Sequence, residues 1–86
     1  MYKTLIIKYI PKITLEDIIF YGQNNNIFLS DDEAKYILKT IQKDYLTLLS
    51  PNYMTVFEKS KLYLSSENYK KILNTFLTYQ EKYKIF

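Results

Sequence analysis

The stretch Leu29-Ser30-Asp31-Asp32-Glu33-Ala34 carries the strongest signal for how this chain folds. Ser30 can accept a hydrogen bond from the free backbone N–H groups in the first turn of a helix. Glu33, three residues later, can bond back to the backbone N–H of that serine. Leu29 precedes the cap, where it can pack against the fourth helical residue, Ala34. The stretch therefore predicts a helix that starts directly after the serine.

Three further segments repeat this arrangement of an apolar residue, a hydroxyl residue and a second apolar residue four positions beyond it. They begin at Ile13-Thr14, Leu49-Ser50 and Leu64-Ser65. Asp17 adds a shorter capping box to the first, and proline follows the second, where a missing N–H costs nothing. Between the caps, apolar residues recur every three or four positions, the period of a helix. We predict one all-α domain over residues 1–86, a compact bundle of four main helices that start near residues 15, 31, 51 and 66, joined by short extended links.

The ends of these helices are less strongly marked. A short N-terminal helix is expected before Pro11, because the residue before a proline avoids helical geometry. The second helix has two candidate ends: Gly22, the only glycine, or Asn26, since asparagine tolerates a left-handed conformation. We favour the later end. The third helix is expected to reach about Tyr45, with residues 46–49 as an extended link, and the fourth to reach about Tyr63.

Three stretches together resemble a known family: Ile13–Ile19, Asn26–Ser30 and Asp32–Leu38. Their order is similar to that in short proteins of low-GC Gram-positive bacteria that are grouped as a domain of unknown function. The resemblance implies capped helices joined by short apolar links, and it implies no activity or catalytic residue. Asn26 stands where the family has a link glycine. Met54 lies in the region where the family has an arginine.

The composition argues against several classes of function. The chain has no histidine and no cysteine, which removes the usual general base, the thiolate nucleophile and the commonest metal ligands. Its single glycine cannot form a phosphate-binding loop. The acidic run from Asp31 to Glu33 is explained by the helix dipole, because a hard cation needs six or more oxygen ligands. We predict a cytoplasmic, non-enzymatic protein with no cofactor, no metal and no membrane span.

Two surfaces are candidates for binding a partner. Lys35, Lys39 and Lys43 share one face of the third helix, and they suggest a nucleic-acid-binding module as the alternative function. An ion pair between Asp31 and Lys35 favours the simpler interpretation of a solvated helix face. The net charge of +3 is also small for a nucleic-acid-binding protein.

The second candidate surface is the C-terminal end of the last helix, at Tyr79, Tyr83 and Phe86. The chain has ten tyrosines, more than a domain of this size can bury, and tyrosine is common at interface hot spots. Protein binding is therefore the preferred function. The long apolar stripe of this helix is expected to fold back on the first segment, with a homodimer as the alternative.

Overall fold

The helices follow one another with short connections. The computed structural model describes residues 2–83, with side chains from Thr4 onward, and within this range no strand occurs. The elements are α1 (Tyr2–Tyr9), a 3₁₀ turn (Ile10–Lys12), α2 (Leu15–Asn24), α3 (Asp31–Leu48), α4 (Met54–Ser60) and α5 (Ser66–Tyr83). The radius of gyration is 12.2 Å, close to the value of about 12 Å for a compact chain of this length. The predicted all-α class is confirmed.

Side-chain caps start three of the helices at the predicted positions. Thr14 Oγ1 accepts from the Asp17 N–H at 3.2 Å, and Asp17 Oδ2 accepts from the Thr14 N–H at 3.0 Å. Ser30 and Glu33 exchange the equivalent bonds at 3.1 and 3.0 Å. Ser65 Oγ accepts from the N–H three residues ahead at 3.1 Å. The starts of α2, α3 and α5 are therefore confirmed together with their caps.

The fourth helix begins later than the sequence indicates. Ser50 Oγ donates to the Thr47 carbonyl at 2.7 Å and accepts from the Asn52 N–H at 3.1 Å. These bonds close a turn over residues 51–53, and α-helical geometry starts only at Met54. The helix also ends at Ser60, with a turn over residues 61–63 where helix was expected.

The third helix is longer than predicted, and residues 46–48 are helical instead of extended. Asp44 has non-helical angles, with φ −111° and ψ 19°, which bends the helix. Backbone hydrogen bonding nevertheless resumes beyond the bend, since the Leu49 N–H donates to the Tyr45 carbonyl at 3.0 Å. The expected link is therefore reduced to the residues after Leu48.

The later of the two candidate ends of α2 is confirmed. The Ile27 N–H donates to the Gly22 carbonyl at 2.7 Å, and the Asn26 N–H donates to the Gln23 carbonyl at 3.1 Å. Asn26 has a φ of +60°. This pair of bonds around a left-handed residue is a Schellman motif, which satisfies carbonyls that the helix end leaves free. Gly22 lies inside the helix and is buried.

The core combines helix faces with apolar residues from the connections. Among the described residues, the buried apolar side chains are Ile10, Ile27, Ala34, Leu49, Val56, Phe57 and Leu64. Ile27, Leu49 and Leu64 come from connections, and the last two are the residues directly before Ser50 and Ser65. Aromatic rings join α4 to α5: the Phe57 ring lies 5.1 Å from that of Phe76 and 6.3 Å from that of Tyr69.

Candidate functional site

The predicted lysine face is present on α3. Lys35, Lys39 and Lys43 are all exposed, and a helix places residues four apart about 6 Å from one another along its axis. The expected pair between Asp31 and Lys35 is not formed. In the part of the chain that the structure describes, ion pairs within 4.0 Å occur only at two other lysines, on α5 and just after α4. The three charges are therefore available to an anionic partner.

Three tyrosines from two helices converge at the second predicted surface. Tyr79 and Tyr83 stack on α5 with their ring centroids 5.9 Å apart and their planes at 20°. Tyr21 of α2 approaches Tyr79 with a centroid distance of 6.1 Å. We call Tyr21, Tyr79 and Tyr83 the tyrosine cluster. Phe86, the third residue predicted for this surface, lies outside the described residues, so its part in the cluster stays a prediction.

The polar ends of the tyrosine cluster interact as well as the rings. Partial burial of the Tyr21 phenol raises its pKa above the ordinary value, and the hydrogen-bonding Tyr79 side chain raises it further. The nearby Tyr83 acts in the same direction. On the other side, Lys82 Nζ lies 5.4 Å from the centroid of the Tyr83 ring, within reach of a cation–π interaction. The cluster therefore combines aromatic rings and phenol hydroxyls with a neighbouring cation.

Bonds between the end of α2 and the side of α5 hold the cluster together. Lys71 Nζ donates to the Asn26 carbonyl at 3.0 Å, and Asn68 Nδ2 donates to the Phe28 carbonyl at 3.1 Å. With the Tyr21 contact, these bonds show that α2 and its following link run antiparallel to α5. The register brings Tyr21 beside Tyr79 and leaves its side chain half exposed.

Glu33 anchors the other end of α5. Its side chain is buried, and its carboxylate accepts hydrogen bonds from the backbone N–H groups of Ser30 and Ser65 and from Asn68 Nδ2. Burial by itself would raise the pKa of this carboxyl. The hydrogen bonds outweigh burial and lower the pKa below its ordinary value. Glu33 is thus a charged structural residue, and its neighbours Asp31 and Asp32 are exposed.

The structure offers no obvious cation site in the part that it describes. No group of three or more acidic side chains is placed to hold a metal ion within residues 4–83. Within the acidic run, the carboxylate oxygens of Glu33 accept hydrogen bonds from backbone N–H groups at the starts of α3 and α5.

No helix in the described range has the length and apolar composition needed to cross a bilayer.

Comparisons with known proteins assign no site. No family model, curated protein or solved structure matches the chain. The resemblance to the low-GC Gram-positive family therefore stays a prediction, and the function has to be argued from the surface itself.

Much apolar surface is left uncovered. Among the described large apolar residues, those more than half exposed are Leu5, Tyr9, Phe20, Phe28, Leu46, Leu62 and Tyr63.

Two contacts between distant residues are not predicted by the sequence. Tyr21 was not assigned to a surface, because nothing local indicates that it faces a residue near the other end of the chain. The reach of Glu33 to Ser65 was also missed. The sequence does contain a signal for the contact between Glu33 and Ser65. Glu33 follows the cap Ser30, and the backbone N–H of the other serine cap, Ser65, also needs an acceptor.

Proposed function

We propose that this chain is a non-enzymatic protein-interaction module and that its partner contacts the tyrosine cluster. The observation that carries the proposal is the convergence of Tyr21, Tyr79 and Tyr83 from two helices, with the first of them half exposed. Tyrosine contributes a large, stiff contact area and a hydroxyl to an interface, which is why it is enriched at hot spots.

The position of the cluster is suited to binding. Its rings belong to two helices that Lys71 and Asn68 connect by hydrogen bonds. Helices that are already joined lose less backbone freedom when a partner docks. Lys82 gives the surface a positive edge. A partner with an apolar or aromatic anchor and an acidic flank matches this arrangement.

The test compares capture of cytoplasmic proteins by the parent chain with capture by two single variants of the cluster, Tyr79→Ser and Tyr21→Ser. Tyr9→Ser is the matched control, because Tyr9 is 57% exposed and lies on α1. We expect a protein that is retained by the parent and the control but lost from both cluster variants. Circular dichroism must show unchanged helix content. If every captured protein binds the cluster variants as well as the parent, the proposal is wrong.

A second candidate is a nucleic-acid-binding module that uses Lys35, Lys39 and Lys43. It is favoured by the exposure of all three lysines and by their freedom from ion pairs. Three phosphate contacts on duplex DNA give a slope of about −2.7 when the logarithm of affinity is plotted against that of salt concentration. A triple alanine variant of this face should abolish that slope.

The matched control for the nucleic-acid test replaces Lys12, Lys59 and Lys70, which are exposed on other parts of the chain. This variant loses the same net charge as the variant of the α3 face. Binding that is lost only in the variant of the α3 face supports this candidate. Equal weakening by both triple variants indicates attraction to net charge alone, and absence of salt-sensitive binding rejects the candidate.

The homodimer stays an alternative occupant for the uncovered surface. Sedimentation of the parent chain across a hundredfold range of concentration distinguishes a second copy from a different protein. A dimer that dissociates in Tyr79→Ser and not in Tyr9→Ser would make a second copy of this chain the partner of the cluster.

A further inference from the structure

Two tyrosine rings from different parts of the chain stack beside the lysine face of α3. The ring of Tyr36, on α3, and the ring of Tyr63, in the turn after α4, have centroids 4.4 Å apart and planes at 15°. The Tyr36 hydroxyl shares a hydrogen bond of 3.3 Å with Ser60 Oγ at the end of α4. We call Tyr36 and Tyr63 the stacked pair. Neither ring belongs to the tyrosine cluster, so the stacked pair is a separate aromatic surface.

The outer side of the stacked pair is open to solvent. Tyr36 covers one face of the Tyr63 ring, and Tyr63 is nevertheless 59% exposed. The exposed area therefore lies on the ring face that is turned away from Tyr36 and on the ring edge. Leu62, the neighbouring residue in the turn, is exposed as well. A planar group can reach the outer face of Tyr63 without displacing Tyr36.

Lysines continue from the stacked pair along α3. Tyr36, Lys39 and Lys43 follow one another at intervals of three and four residues, so both lysines share a side of the helix with Tyr36. They lie about 4.5 Å and about 10.5 Å beyond Tyr36 along the helix axis. Both are exposed, and neither takes part in the ion pairs found among the described residues. The surface thus has an aromatic end and a positive track that leads away from it.

Two acidic residues of α3 border this track. Asp32 is exposed one turn before Tyr36, at the end away from the lysines, and Asp44 is partly buried directly after Lys43. Lys35 adds a third exposed lysine beside Tyr36. Positive charge therefore exceeds negative charge along the track, and the exposed carboxylate of Asp32 repels an anion at the aromatic end. An anionic chain is attracted from the stacked pair toward Lys43.

We propose that this surface binds single-stranded nucleic acid, with a base on the outer face of Tyr63 and phosphates on the lysines of the α3 face. Proteins that bind single strands combine a positive track for the backbone with aromatic side chains on which bases stack. Each nucleotide carries a planar base and a phosphate, whereas an acidic peptide needs a particular sequence to present both features. Bases in a duplex stack on one another, so their faces are closed to Tyr63. This assignment rests on the second candidate function and selects a single strand over a duplex.

The experiment measures the binding of labelled oligonucleotides of about ten residues by fluorescence anisotropy, with oligo-dT, oligo-U and a mixed-sequence duplex as separate arms. We expect the parent chain to bind single strands more tightly than the duplex, and the tighter single strand identifies the preferred sugar. Three phosphate contacts on a single strand give a slope of about −2.1 when the logarithm of affinity is plotted against that of salt concentration.

Variants separate the ring from the charges. In Tyr63→Ala, we expect affinity for single strands to fall about fivefold or more with an unchanged salt slope, because one stacked base is lost. Tyr63→Phe keeps the ring and should bind like the parent. Tyr9→Ala is the matched control, since Tyr9 is similarly exposed on α1. Asp32→Asn should strengthen binding, because it removes the repulsion at the aromatic end. The ring resonances of Tyr63 in the parent should shift on titration, a readout that needs no variant.

The proposal is overturned if the parent binds the duplex at least as tightly as both single strands, if Tyr63→Ala binds them like the parent, or if the Tyr63 ring resonances do not shift. Lysine-dependent binding in which Tyr63 has no part rejects this assignment alone and leaves the second candidate function in place. Absence of salt-sensitive binding in all three arms rejects both. Polyglutamate that binds with an equal dependence on Tyr63 would assign the surface to acidic peptides instead.

Discussion

The carboxylate of Glu33 accepts a hydrogen bond of 2.8 Å from the backbone N–H of Ser65, 32 residues away. Its other oxygen accepts from the Ser30 N–H at 3.0 Å and from Asn68 Nδ2 at 2.9 Å. Because Ser30 caps α3 and Ser65 caps α5, one side chain completes the N-terminal caps of two helices. The side chain of Glu33 thereby joins the start of α3 to the start of α5.

Replacing this carboxylate by an amide should destabilise the fold. In Glu33→Gln, the amide nitrogen turns a donor toward at least one of the N–H groups that the carboxylate now accepts from. Loss of charged hydrogen bonds at a buried site costs about 2 kcal/mol. Urea unfolding of parent and variant at pH 7 measures the difference.

Asp32→Asn is the matched control for Glu33→Gln. Asp32 is exposed in the same helical turn. Asp32→Asn removes the same charge but loses only the interaction of that charge with the helix dipole, which contributes less than about 1 kcal/mol. Equal losses in the two variants would show that helix-dipole charge, and not the shared cap, accounts for the effect.

The same carboxyl predicts loss of stability in acid. Its pKa is lower in the folded chain than in the unfolded chain, where the ordinary value is about 4.5. Its contribution is therefore complete above that pH and is lost as the pH falls through the lower, folded value. Free energies of unfolding between pH 7 and pH 2 should decline more steeply for the parent than for Glu33→Gln. Parallel curves would mean that other carboxyl groups cause the decline.

The close approach of α2 to its following link requires glycine at position 22. A Cβ added to Gly22 would lie 2.8 Å from the Ile27 carbonyl oxygen and 3.4 Å from Leu29 Cδ1. The first contact is with backbone, which is held in place by the hydrogen bond from the Ile27 N–H. Overpacking of this kind costs about 1–3 kcal/mol. The gain in helix propensity on changing glycine to alanine, about 1 kcal/mol, offsets part of it.

Gly22→Ala should therefore destabilise the chain by up to about 2 kcal/mol in urea unfolding. The adjacent and exposed Gln23→Ala should change the stability by less than about 0.5 kcal/mol. A stabilised Gly22→Ala variant would show that the link moves away from the helix at little cost.

The sequence is informative where the deciding interactions are local. The starts of α2, α3 and α5 follow from side chains that bond to backbone groups three residues away. The same reasoning places the fourth helix too early. A serine followed by proline can close a turn instead of opening a helix, and Ser50 uses its hydroxyl in that way. The bend of α3 at Asp44 is not predicted, because no proline or glycine lies at that point of the sequence.

Contacts between distant residues are the part that the sequence does not reveal. Tyr79 and Tyr83 could be paired from their spacing of four on one helix. The approach of Tyr21 to Tyr79 depends on the antiparallel register of α2 against α5. This register depends on the Schellman turn after α2 and on the hydrogen bond from Lys71 Nζ to the Asn26 carbonyl.

The tyrosine cluster predicts loss of stability in alkali. The pKa of Tyr21 is raised by partial burial and by Tyr79, so the folded chain holds this proton more tightly than the unfolded chain. The contribution of Tyr21 to stability is complete below the ordinary tyrosine pKa of about 10 and is lost as the pH rises above it.

Tyr21→Phe keeps the ring and removes the titrating hydroxyl. Unfolding measured from pH 7 upward should therefore show a shallower decline above about pH 10 in this variant than in the parent. Tyr9→Phe, on exposed Tyr9 of α1, should decline as the parent does. If Tyr21→Phe is as sensitive to alkali as the parent, the Tyr21 hydroxyl is not stabilised by its neighbours, and the cluster is held by ring contacts alone.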